Sequence, residues 1–286
     1  MDDLTRRNFL GLATIAGVGA MTTPSPAAEA PAAAAAPAPP EPKPAPAPIH
    51  VSDEFPTQSP ALAREMVGVS HGNLARVNEL LGLHPTLANA SWDWGFGDWE
   101  SALGAASHVG NVEIARALLA HGARPSIFSA AMLGQLEVVR AFIAASPGVQ
   151  GTAGPHGIPL LAHARAGGDA AKPVLDYLVA TGGADATTKV VELAPELAAR
   201  YAGVYAFGGR DTDRVEVSIE KGVVKFKRTG MAARNLFHLG DHAFHPAGAP
   251  AVRVRFTLTG DGAATTLTVF DPDLVLTALR VAGAPA

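Results

Sequence analysis

Trp99-Glu-Ser-Ala-Leu103-Gly-Ala-Ala106-Ser-His-Val-Gly110-Asn-Val-Glu-Ile-Ala-Arg-Ala-Leu118-Leu119-Ala-His-Gly122-Ala123 is the stretch that organises this chain. Small residues dominate its first half, so a short helix there allows close approach by a neighbour. Val112, Ile114, Ala115, Leu118 and Leu119 then fall on one stripe at helical spacing. Gly110 and Gly122 supply the tight or left-handed geometry that ends each helix. The stretch predicts two short helices packed back to back.

Working outward, three other segments take the same register. One is Glu65–Gly72 with Leu74, Val77, Leu80 and Leu81. Another is Ile127–Gly134 with Leu136, Val138, Val139, Phe142 and Ile143. The last is Leu160–Gly167 with Val174, Leu178 and Val179. Ile127 and Leu160 lie 33 residues apart, the ankyrin period. With Leu103, Ala105 and Ala106 in the first helix, Gly110 at the turn and Leu118–Leu119 in the second, the pattern resembles the ankyrin repeat. That resemblance implies a helical solenoid of four units over residues 60–189, enough for a stable array.

The spacing departs from this period twice: Glu65 to Leu103 spans 38 residues, five over it, and Leu103 to Ile127 only 24, nine under it. The surplus falls in Trp92-Asp-Trp94-Gly-Phe96-Gly-Asp-Trp99, which holds all three tryptophans of the chain. Insertions in a repeat map to one edge of the solenoid, often the binding edge. Aromatic side chains flanked by Gly and Asp are costly to leave in water and serve as recognition anchors. Trp92, Trp94, Phe96 and Trp99 are therefore the expected binding residues. The bland counterpart is that they cover the open end of a short array.

From about residue 190 the period changes. Tyr201–Phe207, Arg214–Glu220, Val223–Arg228, Leu236–Leu239, Ala243–His245, Val252–Thr259, Thr265–Phe270 and Leu274–Val281 alternate or run β-branched between Gly-containing turns. Short strands at near-regular spacing predict a small antiparallel barrel or sandwich over residues 190–286. Leu197–Tyr205, Val215–Val217, Gly222–Val224 and Leu236–Phe244 resemble a lipocalin-like β module of the type appended to periplasmic serine hydrolases. The fold class expected is thus α+β multidomain, a helical ankyrin-type solenoid followed by a small antiparallel β-barrel.

The beginning of the chain carries a different message. Arg6 and Arg7 are followed by Phe9-Leu10, an apolar Gly/Ala-rich run and the small-x-small string Ala28-Glu29-Ala30. The order resembles a twin-arginine export signal over residues 1–30, and implies a periplasmic protein exported in the folded state. The run is too short for a permanent membrane span. Residues 31–59 are rich in Ala and Pro and read as a disordered linker. The net charge of −4 argues against nucleic acid as a partner, and the absence of cysteine excludes disulfides, thiolate nucleophiles and thiolate metal ligands.

Catalytic strings match only by letter. Gly68-Val-Ser70-His-Gly72 lacks the strand that a nucleophile elbow needs before it, and Ser218-Ile-Glu-Lys221 lies on a strand instead of one helix face. His238, His242 and His245 cluster about a hairpin without an obvious third ligand. His108, His156 and His163 form a second set with an acid–base or ligand role in view, against a buried histidine satisfied by a carbonyl. No catalytic residue, metal site or cofactor is expected. The expected function is non-catalytic binding of a protein or peptide partner along the hairpin edge. The alternatives are small-ligand binding, lipid or carbohydrate, and a His-dependent or metal-dependent enzyme.

Overall fold

The computed structural model describes residues 53–260, 262–271 and 274–283. Arg6, Arg7 and residues 31–52 of the Ala/Pro-rich tract lie outside the described residues. Among those described are nine α-helices and ten strands, and no helix is long and apolar enough to cross a membrane.

Eight short helices come in pairs: α1 (Pro60–Val69) with α2 (Leu74–Leu83), α3 (Ala102–His108) with α4 (Val112–Ala120), α5 (Ile127–Met132) with α6 (Leu136–Ala145), and α7 (Leu160–Ala166) with α8 (Lys172–Thr181). Their starts are set by polar caps. Asn73, Ser101 and Asn111 each accept a backbone N–H from the first helical turn, and Ser126 forms a capping box with Ser129. Met66, Leu80, Leu81, Leu103, Ile114 and Leu118 form one core, and Ile127, Val139, Leu160, Val174 and Leu178 a second.

The expected ankyrin-type solenoid is not what these helices make. The pairs begin at Pro60, Ala102, Ile127 and Leu160, at unequal intervals, whereas a solenoid stacks equal units. The segments between pairs also follow no common form. After α2, a 3₁₀ turn and a two-stranded ribbon intervene, β1 (Ser91–Asp93) and β2 (Trp99–Ser101). After α6 the chain makes two 3₁₀ turns, Val149–Gly151 and Pro155–Gly157. Gly110, Gly122 and Gly134 do take positive φ. The turn glycines therefore reported helix–helix connections and not a repeat family.

The C-terminal half forms the antiparallel barrel that the alternation predicts, and it is closed. α9 (Pro195–Tyr201) leads into β3 (Gly203–Ala206), β4 (Arg214–Glu220), β5 (Val223–Arg228), β6 (Arg234–Gly240), β7 (Ala243–Pro246), β8 (Arg253–Leu258), β9 (Ala264–Asp271) and β10 (Leu274–Arg280). Neighbours in sequence pair in turn, and β10 closes the ring on β3 through Leu279↔Ala206 and Arg280↔Tyr205. Closure removes the exposed edges that an open sheet would present. The interior is filled by side chains, among them Tyr201, Tyr205, Val217, Phe244, Val254 and Phe256.

The two halves meet through the ribbon. Its tip, Gly95-Phe96-Gly97, has positive φ at all three residues, and Phe96 packs on the barrel core with its ring centroid 5.7 Å from that of Phe226. Arg234 of β6 donates to the Trp94 and Gly95 carbonyls at 3.1 and 3.2 Å.

Candidate metal centre

Four side chains converge where α1, the ribbon, α3 and the Pro155–Gly157 turn come together. His71 follows the end of α1, Glu100 sits on β2, His108 ends α3 and His156 occupies the turn. One atom of each lies within 4.8 Å of the others. Oε1 of Glu100 is the focus: Nε2 of His108 lies 2.9 Å from it, Nε2 of His156 3.3 Å and Nε2 of His71 3.6 Å. The Nε2 atoms of His71 and His108 are themselves 3.1 Å apart. Donors held about 2.0–2.1 Å from one tetrahedral ion stand about 3.3–3.4 Å apart, and these separations bracket that value.

The outer nitrogens and oxygens are spoken for, which fixes what the inner ones present. Nδ1 of His71 lies 3.0 Å from the Gly68 carbonyl, so it carries the proton and leaves Nε2 with a bare lone pair. Nδ1 of His156 lies 2.8 Å from Oδ2 of Asp98, the carboxylate–histidine pairing that orients metal ligands. Nε1 of Trp94 donates to Oε2 of Glu100 at 2.7 Å, turning Oε1 inward. His156 is held in a left-handed conformation at φ 60, a strain of roughly 1–3 kcal/mol that clusters at functional sites.

Asp98 supports the set from behind. It is 4 % exposed and accepts from the backbone N–H of His156 at 2.8 Å, from its ring at 2.8 Å and from Nη1 of Arg234 at 2.7 Å. A Cβ on Gly248, which has φ +79, would collide with this carboxylate. Burial pushes Asp98 and Glu100 upward, but the hydrogen bonds they accept outweigh it. Glu100 is held down at about 2 and Asp98 below its ordinary value. Hydrogen bonds to Asp98, then to Glu100, push His156 up to about 9. The pocket therefore favours positive charge. With His156 pushed up to about 9, its Nε2 carries a proton toward Glu100 at neutral pH, and a bound ion would take that proton's place.

The sequence-derived residues fall in different places. His108 and His156 are brought together as a ligand pair. His163 is not among the four; it is wholly buried on α7, with its ring centroid 6.4 Å from that of His108 and neither ring nitrogen partnered among the described residues. Burial lowers it to about 4. His71 and Glu100 were missed as ligands, and their only signal was proximity to the string Ser70-His71 and to the tryptophan cluster. The His238, His242 and His245 set does not converge: His242 pairs with the Tyr201 hydroxyl at 2.7 Å and His245 with the Pro246 carbonyl at 3.0 Å.

Of the expected binding residues, Trp94 orients Glu100 and Phe96 packs on the barrel. Trp92 packs on the helical core beneath the Arg64 guanidinium. Trp99 alone is exposed, at 65 %. Ser70 is buried and donates to the Met66 carbonyl, while Ser218 lies on β4 with Lys221 in the turn beyond.

In the comparisons with known proteins, no family model matches the chain, and no curated protein or solved structure is significantly similar to it.

Proposed function

We propose that this protein is a metalloprotein in which His71, Glu100, His108 and His156 hold one divalent transition-metal ion. The observation that carries the reading is the convergence of three Nε2 atoms on Oε1 of Glu100, at 2.9 to 3.6 Å. Three imidazoles and one carboxylate without any thiolate suit zinc, cobalt, nickel or copper better than calcium or magnesium, and a compact four-donor set favours zinc. The side chains of His71 and His156 are 32 % and 28 % exposed, so the ion is reached from solvent. The proposed site replaces the sequence-based expectation of a chain without a metal.

The export reading fits alongside it. A chain carrying Arg6-Arg7 and exported folded would leave the cytoplasm with its ligand cage already assembled. A second reading, in which the chain binds another protein, keeps exposed Trp99 as its support.

The test is metal stoichiometry in the purified full chain. One zinc per chain after dialysis is expected. The cobalt form should show the intense visible bands of tetrahedral coordination. His108→Ala and Glu100→Gln should each weaken zinc binding by 100-fold or more. A wild-type chain that binds zinc no more tightly than a double variant overturns the proposal.

A further inference from the structure

Where the ribbon meets the end of the barrel there is a pocket of about 190 Å³. The period of two along each strand builds it. Val224 and Phe226 of β5 belong to the barrel core, so Arg228, two residues on, shares their face and lines the pocket. Val269 and Leu276, register partners across β9 and β10, form another wall. Phe207 and the ribbon's Phe96 add two more aromatic rings, and Met231 borders the pocket at 54 % exposure. The wall holds two guanidinium groups and no carboxylate. That of Arg234 is neutralised by Asp98 at 2.7 Å. That of Arg228 is exposed, gives its Nε to the Thr212 carbonyl at 2.8 Å and makes no ion pair among the described residues. Asp213 feels its charge but is itself held by Arg210 at 2.8 Å. An aromatic hollow thus carries one uncompensated positive charge.

We infer that this pocket binds a monocyclic aromatic acid, its ring among Phe96, Phe207 and Phe226 and its carboxylate against Arg228. A cavity of about 150 Å³ takes one benzene ring, so the volume admits a single ring with a short side chain and no fused system. Aromatic walls favour a ring over an aliphatic body of the same area, and the Met231 thioether is a further partner for it. Charge selects the acid: an amine would meet two guanidinium groups and no carboxylate. With Nε of Arg228 taken, both Nη groups remain for the two oxygens of a carboxylate. The inference stands apart from the metal reading, since the pocket contains none of the four proposed ligands.

The test is a titration of the full chain, followed by nuclear magnetic resonance, with 3-phenylpropanoate, 3-phenylpropanamide and propanoate. The aromatic acid should bind with a Kd of about 1 mM or tighter. Propanoate should bind at least about tenfold more weakly for want of the ring. The amide should bind at least about threefold more weakly at low ionic strength, the scale of an ion pair open to solvent. Added salt should close the gap between acid and amide. Arg228→Met should abolish the preference for the acid and leave binding of the amide unchanged, while Arg228→Lys should keep part of that preference. Met231→Asp, at an exposed position, should weaken the acid at least about tenfold by setting a charge beside the ring and a like charge near the carboxylate, with the barrel shown intact by circular dichroism. A wild-type chain that binds the aromatic acid no more tightly than propanoate, or no more tightly than the amide, overturns the inference. So does acid binding that Met231→Asp leaves untouched.

Discussion

Asp98 shows how much of the proposed centre depends on a residue that is not a ligand. Its two oxygens answer the backbone and ring of His156 and the guanidinium of Arg234 at once. Asp98→Asn keeps the shape and removes the charge. The ring of His156 then loses its carboxylate, and zinc affinity should fall about 10–100-fold. Arg234, only 12 % exposed, is left without its counter-charge, so stability should fall by roughly 3 kcal/mol. Zinc titration and urea unfolding of the same variant read the two effects separately. Unchanged affinity would remove Asp98 from the centre. At this scale the sequence was half legible. His108 and His156 stood out only in a set with His163, which is not among the four, and no metal site was expected from them. His71, Asp98 and Glu100 did not, because no local spacing links them: the chain brings His71 to Glu100 and Asp98 to His156 only by tertiary packing.

Among the elements, composition singled out the ribbon as a recognition edge, and its geometry redistributes the aromatic residues. Phe96 sits at φ 59 between two glycines of positive φ, a conformation it would leave if its ring were not packed on the barrel. Phe96→Ala should therefore cost about 2 kcal/mol, less than the full loss of a wholly buried Phe. Trp99→Ala, at an exposed position, should cost under about 0.5 kcal/mol. Thermal unfolding of the pair decides the matter; a larger loss for Trp99 would mean that its surroundings are misread. The strands were legible because Val215 and Val217, or Val254 and Phe256, alternate with outward polar residues, and period two leaves one reading. The helices were legible for the same kind of reason. Their assembly was not. Glycine after a helix reports a left-handed turn wherever helices reverse, so the turns could not tell an array of equal units from pairs interrupted by a ribbon and 3₁₀ turns.

Two features concern the chain as a whole. The first is the arginine pair: replacing Arg6 and Arg7 with Lys should strand the protein in the cytoplasm, and unchanged recovery from the periplasm would defeat the export proposal. The second is Arg234, which belongs to the barrel and holds the proposed centre of the helical half. From β6 it donates to Asp98, to the Trp94 and Gly95 carbonyls across the interface and to the Ala247 carbonyl beside it. Those contacts fix the ribbon that carries both Trp94 and Glu100. The barrel thus positions a ligand set to which it contributes no donor. Arg234→Met keeps most of the volume and removes every one of these hydrogen bonds. Zinc affinity should fall at least tenfold, with the β content of the barrel unchanged by circular dichroism. Residues that act through one contact couple energetically, so combining Arg234→Met with Asp98→Asn should weaken zinc binding by less than the product of the two single effects. Full additivity would mean that Arg234 steadies the ribbon through its carbonyls alone, and an unchanged affinity in the single variant would make the barrel a bystander to the metal.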